Sequence, residues 1–319
     1  MAEPDGPTRS QRRLADELDE HGVDLPEDHR TAALLLEELD YARRTPMFEG
    51  RRPIYGAVVT SDPEALHRWG EADVELLDAR CGLDDARTYA DGRSTYLVRD
   101  PRDPQRATIA CFDRALQYEA DLVLLQQATG ALIVQRTPVL GVSRLFQHDS
   151  VVSWNGRSWE ARATARSLLP VVRRHAPELA AEVAEGVISL AIHWLAPARA
   201  GATLVVHDPA AGQERLDMAG AVAVPGLDVT NRLHYPPLLS TLQQRDLATI
   251  IDPDGTVRAV GVALRASRAA LDAVANEQGM RHRSAQRWSF DHPGSIVVVV
   301  SSDGPVSVYR AGEAVLDAD

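Results

Sequence analysis

Lysine is absent from the 319 residues: all 34 basic side chains are arginine, so every cationic contact must come from a guanidinium or from one of ten histidines. Cysteine is nearly as scarce. Cys81 and Cys111 are too few for a disulfide framework and lack metal-ligand spacing, which leaves buried free thiols as the expectation. Aromatic residues make up only 5%, so the core must be built from Ala, Leu and Val. Long apolar runs are missing too. The run Ile296 to Val300 falls far short of the roughly 20 residues a membrane helix needs, and the opening MAEPDGPTRSQRR carries no apolar signal segment. A cytoplasmic protein with no membrane partner is expected. Basic charge is outweighed by 46 acidic residues, giving a net charge of −12. That balance argues against a nucleic-acid partner, because a polyanion would be repelled. A local arginine site for a small anion remains compatible with it.

A chain of this length predicts two domains and a terminal extension. Residues 1–46 read as a helical extension, with Leu14, Leu18, Leu34, Leu35, Leu36 and Leu39 at helix-like spacing, broken at Pro26-Glu27-Asp28. Residues 47–160 read as an α/β domain. Ile54 to Val59 and Ser94 to Val98 have strand texture, Asp113 to Gln127 helix texture, and Asn155-Gly156 between strand-forming residues is a hairpin turn. No catalytic constellation stands out there.

Residues 161–319 predict a second α/β domain, with a mixed central sheet flanked by helices. An apolar helical stripe, Leu179 to Trp194, precedes the largely apolar run Gly201 to Val206, which suits a central strand covered on both faces. Asp246 to Ile251 is the next strand. The turn Asp252-Pro253-Asp254-Gly255 sends the chain back through Val257 to Leu264. Arg268 to Gln278 is a helix or loop, and Ser295 to Ser301 with Val306 to Tyr309 closes the sheet as a hairpin around Ser302-Asp303-Gly304-Pro305.

The centre of interest is Gly279-Met280-Arg281-His282-Arg283-Ser284-Ala285-Gln286-Arg287, between a strand and a helix start. Guanidinium forks and an imidazole behind a glycine suit a polyphosphate. A solvated basic helix start is the competing explanation for such a run taken alone. Context favours the phosphate reading, because Asp246 opens a strand 35 positions before Arg281.

In this order of elements the stretch from about Glu178 to Gly312 resembles the diadenylate cyclases with a DisA-type nucleotide-binding domain. That family carries Asp-Gly-Ala at a strand start, Gly-Thr-Arg-His-Arg-Ala-Ala about thirty residues on, and a Ser-Glu-Glu turn in the last hairpin. Here the corresponding residues are Asp246-Leu247-Ala248, Gly279 to Ala285, and Ser301-Ser302-Asp303. Two departures stand out: Leu247 replaces the glycine that allows close backbone approach, and Met280 replaces a threonine. The first domain resembles the sensor domains that precede such cyclases.

The resemblance implies condensation of two ATP molecules into cyclic di-AMP with Mg²⁺ or Mn²⁺. Asp246, Arg281, His282 and Arg283 would be catalytic, and Asp246 and His282 would ligate the metal. Leu247, Ala248, Gly279, Met280, Ser301, Ser302 and Asp303 would contact the nucleotide. A two-fold symmetric product implies a face-to-face homodimer or higher oligomer. The departures leave open a lapsed nucleotide-binding signalling protein, or a nucleotidyltransferase with altered nucleotide choice.

Overall fold

The computed structural model describes residues 8–44, 49–50, 52–116, 118–137, 142–207, 216–274 and 279–318. The chain divides into two compact units at Arg162/Ala163.

In the first unit, α1 (Arg9–Glu20) and α2 (His29–Arg44) lead into β1 (Tyr55–Val59), β2 (Val74–Asp78), α3 (Leu83–Arg87), β3 (Thr95–Asp100) and β4 (Asp103–Phe112). The unit continues through α4 (Glu119–Thr129), β5 (Leu132–Arg136), β6 (Ser143–Gln147), β7 (Ser150–Trp154) and β8 (Trp159–Ala163). The strands form one sheet in the order β2-β4-β3-β1-β5-β6-β7-β8. Only β1 and β3, among the pairs with a described register, run parallel in it.

Local chemistry sets the boundaries. The Asp28 carboxylate accepts the Thr31 N–H (2.9 Å) and so caps α2. Asn155 turns the β7–β8 hairpin, its N–H donating to the Ser158 carbonyl at 3.2 Å. The first two helices are not an appendage, as their charged sequence suggested. Leu14, Leu18, Leu35 and Leu39 are fully buried in one cluster with Ala57, Leu97, Val134 and Val152 of the sheet, sharing the cover of that face with Ala86 of α3. Residues 1–7 and 45–46 of the expected extension lie outside the described residues.

Charge is buried at this helix–sheet junction. Glu38, with 0% exposure, accepts hydrogen bonds from Tyr55 Oη (2.5 Å), Arg87 Nε (3.1 Å) and Nη2 (3.0 Å), and from Arg99. Desolvation followed by the Glu38 charge pushes the Tyr55 phenol well above its ordinary pKa. The cysteines differ from expectation: Cys81 is exposed in the loop before α3, and Cys111, on β4, is half-buried.

The second unit begins with α5 (Ala165–His175) and α6 (Ala181–Leu190), which runs on as a π-helical turn, Ala191–Leu195, in which His193 Nε2 accepts the Ala165 N–H at 3.0 Å. Next come β9 (Ala202–Val206), the short β10 (Leu216–Asp217) and β11 (Val222–Ala223), α7 (Tyr235–Leu242), β12 (Ala248–Ile251), β13 (Val257–Leu264) and α8 (Arg268–Ala273). It closes with α9 (Met280–Asp291), β14 (Ile296–Val300), β15 (Val306–Arg310) and β16 (Glu313–Ala318). Sheet order is β10-β13-β12-β9-β14-β15-β16, with β11 also on β13. β9 lies at its centre, parallel to β12 and antiparallel to β14.

Every residue of β9, β12 and β14 is buried, which is why these strands read as unbroken apolar runs. Ala285 and Trp288 seat α9 on Val205, Val297, Val299 and Tyr309. Two short strands and β16 were not foreseen, and residues 275–278 of the expected helix or loop lie outside the described residues. Among the described residues, no helix is long and apolar enough to cross a membrane.

Candidate functional site

The register of three strands defines one end of the second sheet. Thr203 pairs with Ala248 and Ala202 with Val300, so Gly201, Leu247 and Ser301 all lie where β9 and β12 start and β14 stops. Asp246 and Leu247 therefore precede the strand instead of opening it. At this end α9 begins, and Arg281-His282-Arg283 forms its first turn. Gly279 is the N-cap and offers no side-chain bond, so the first-turn amides stay available to an anion.

Arg281 Nη2 donates to Asp246 Oδ1 at 3.1 Å. The pair sits at the surface, with side-chain exposures of 38% and 73%, so it is worth at most about 1 kcal/mol and is easily opened. The Leu247 N–H also donates to this carboxylate. That bond first, and Arg281 second, hold the Asp246 pKa below its ordinary value. Leu247 adopts φ +73°, a left-handed conformation that a side chain with a Cβ resists. Its side chain stands 52% exposed, and Met280 is 78% exposed.

His282 is tied on both sides. Nδ1 lies 2.9 Å from Tyr309 Oη and Nε2 2.9 Å from Ser301 Oγ, which clamps the first turn of α9 to β15 and to the end of β14. These two bonds give His282 a positioning role at the start of α9. Arg283 is half-buried, and two residues along a helix its side chain leaves on a different face from Arg281. It does not meet Asp246. Ser301 shapes the β14–β15 turn, its N–H donating to the Pro305 carbonyl (2.9 Å) and its carbonyl accepting from Gly304 (3.0 Å). Ser302 and Asp303 are exposed on that turn, and Ala248 is buried in the sheet.

A cavity of about 460 Å³ opens beside α9, lined by Leu264, Arg265 and Ala266 after β13, Leu271 of α8, and Ser284, Arg287 and Trp288 of α9. Ser284 lies about one helical turn from Arg281, so cavity and ion pair are neighbours along one helix. Ser284 and Arg287 belong to the basic stretch the sequence singles out, whereas Leu264, Arg265, Ala266, Leu271 and Trp288 were not foreseen. Ser284, Arg287 and Trp288 at i, i+3 and i+4 were the visible signal, but β13 and α8 supply the opposite wall.

Residues 189–314 match the model of the family described as DisA bacterial checkpoint controller nucleotide-binding. The C-terminal unit carries a DisA-type nucleotide-binding domain. Residues 12–162, ahead of it, match the family described as Probable sensor domain DACNK. The chain also has partial likeness to solved structures. One is the crystal structure of a double mutant of DacA from Staphylococcus aureus, at 20% identity and TM-score 0.30, covering 47% of this chain and 85% of that one. Another is a hypothetical membrane spanning protein from Bacillus cereus, at 19% identity and TM-score 0.32, covering 47% and 74%. No curated protein matches the chain.

The family implies a divalent metal. No group of three or more His, Cys, Asp or Glu side chains placed to hold a metal ion occurs among the described residues. Asp246 is one accessible hard-oxygen donor, which fits an ion whose remaining ligands are substrate phosphates and water, as Mg²⁺ is commonly bound.

Proposed function

We propose that the DisA-type domain joins two ATP molecules into cyclic di-AMP, releasing two pyrophosphates. The observation that carries this reading is one accessible carboxylate, Asp246, paired with one accessible guanidinium, Arg281, at a helix N-terminus, with a cavity of about 460 Å³ along the same helix. Arg281 and the first-turn amides of α9 bind the phosphates, and the Leu264–Trp288 cavity takes the base. Ser302, Asp303 and the Gly279-Met280 backbone rim the same site.

In each half-reaction a ribose 3′-oxygen attacks the α-phosphorus of the other nucleotide. The new P–O bond forms as the bond to the bridging oxygen breaks, pyrophosphate leaves, and the hydroxyl proton passes to solvent under the influence of the Asp246 charge. A bound Mg²⁺ or Mn²⁺, held by Asp246, would neutralise phosphate charge. His282 positions the first turn of α9 through Tyr309 and Ser301 and does not itself touch the reacting atoms. Each domain supplies one site and the product has two linkages, so two copies act face to face. The DACNK domain regulates the rate.

Leu247 favours a second reading. A half-exposed leucine in left-handed backbone follows Asp246 where the resembled family has glycine, as in a domain that binds nucleotide without turnover or takes other nucleotides. Incubating the protein with ATP and Mn²⁺, then with mixed nucleotides, and weighing products by mass spectrometry separates these readings. Cyclic di-AMP supports the proposal. Its absence, with ATP bound intact, favours the second reading.

A further inference from the structure

We infer that Gly201 is a positioning residue that seats Arg281 against Asp246, an inference that rests on the phosphate-binding role given to Arg281 above. The parallel register pairs Thr203 with Ala248, and Gly201 and Asp246 each lie two residues before those positions, at the same end of the sheet. Adjacent strands stand about 4.8 Å apart. The Arg281 guanidinium lies across that step: a Cβ placed on Gly201 would collide with Nη1 and stand 2.9 Å from Cζ and 3.3 Å from Nη2. The hydrogen at this position is therefore what lets the guanidinium lie flat enough for Nη2 to reach Asp246 Oδ1.

Backbone conformation does not explain the glycine, because its φ is not in the left-handed region and alanine would be tolerated there. Nor does a neighbouring backbone. The three nearest atoms all belong to the tip of one flexible side chain, which can yield without disturbing the fold. A methyl group here is thus a selective perturbation of Arg281, leaving the arginine in place but lifting it off its seat.

The experiment compares the full chain with Gly201→Ala, Arg281→Ala and the double variant, measuring ATP binding by calorimetry and thermal unfolding for all four. Gly201→Ala should weaken ATP on the order of tenfold while the melting temperature holds, and should add no further loss in the Arg281→Ala background. Equal ATP affinity in Gly201→Ala and wild type overturns the inference. So does a loss of affinity or stability that is as large without Arg281 as with it, since the glycine would then serve the backbone.

A crystal structure of Gly201→Ala supplies a readout that needs no nucleotide. It should show the guanidinium displaced and its bond to Asp246 broken, and an unmoved guanidinium overturns the inference. If wild type binds no ATP, the proposed function fails, while the crystal structure still decides the seat.

Discussion

Replacing Leu247 with glycine separates strain from crowding at the site. Three contributions to stability can be set against each other. Leaving a left-handed leucine restores about 1–2 kcal/mol, because Cβ no longer crowds the carbonyl. Against this, a side chain 52% exposed buries only half its surface, so its loss costs about 1 kcal/mol. The freer unfolded glycine chain costs about 0.5–1 kcal/mol more. The sum lies within about 1 kcal/mol of zero, a shift of no more than about 2–4 °C for a unit of this size. The Leu247 N–H that holds the Asp246 carboxylate survives the change. Stability should therefore stay level while the approach to Asp246 opens, and ATP turnover, followed as cyclic di-AMP by mass spectrometry, should rise severalfold. Leu247→Ala is the control: it keeps the strain and removes most of the side chain, so it should gain most of the activity with slightly lower stability. A Leu247→Gly protein that melts like wild type and turns over no faster would refute crowding as the role of this residue.

Asp246→Asn, nearly isosteric, should fold normally and lose turnover on the order of 10²-fold or more, and product formation at the wild-type rate would move the catalytic carboxylate elsewhere. Glu38→Gln should destabilise the first unit by about 3–5 kcal/mol in urea unfolding, since Arg87, Arg99 and Tyr55 all donate to that carboxylate and would face an amide instead. Burial pushes the Tyr235 phenol up to about 12, where its hydroxyl donates to the Val229 carbonyl at 2.8 Å. Its folded pKa lies above the unfolded value of about 10, so this group's stabilisation is complete below about pH 10 and lost as pH rises toward 12, about 2–3 kcal/mol in all. Urea unfolding at about pH 9 and about pH 12 should show the advantage of wild type over Tyr235→Phe shrinking, and an unchanged gap would contradict it.

Much of the second unit was legible because its strands are buried on both faces, and unbroken runs such as Ala202–Val206 and Ile296–Val300 announce that. Turn chemistry helped, as at Asp254-Gly255. Partnership was what the sequence withheld. Leu35, Glu38, Leu39 and Ala42 share one helical face, so Glu38 on that stripe signalled buried charge, yet nothing local named Arg87 and Arg99 as its counter-ions. The same holds for His282: residue type and motif suggested a ligand, while Tyr309 and Ser301, its actual partners, are 27 and 19 positions away. Asp246 and Arg281 were expected at one sheet edge because the Arg-His-Arg motif and a strand-leading aspartate tied two distant segments together, but their ion pair was not foreseen. Gly201 left no trace beyond a glycine before an apolar run.

The Asp246–Arg281 bridge makes the two halves of the proposed site energetically interdependent. An anion that shares the seated Arg281 with Asp246 draws on the guanidinium's charge and so strengthens the carboxylate's hold on a cation. Linkage requires the reverse to the same degree, with a cation on Asp246 leaving more of that charge to phosphate. Both gains are bounded by the strength of so exposed a bridge, and both fade as salt screens it. Affinities measured for either ligand alone would then understate what the pair achieve together, most visibly at low ionic strength.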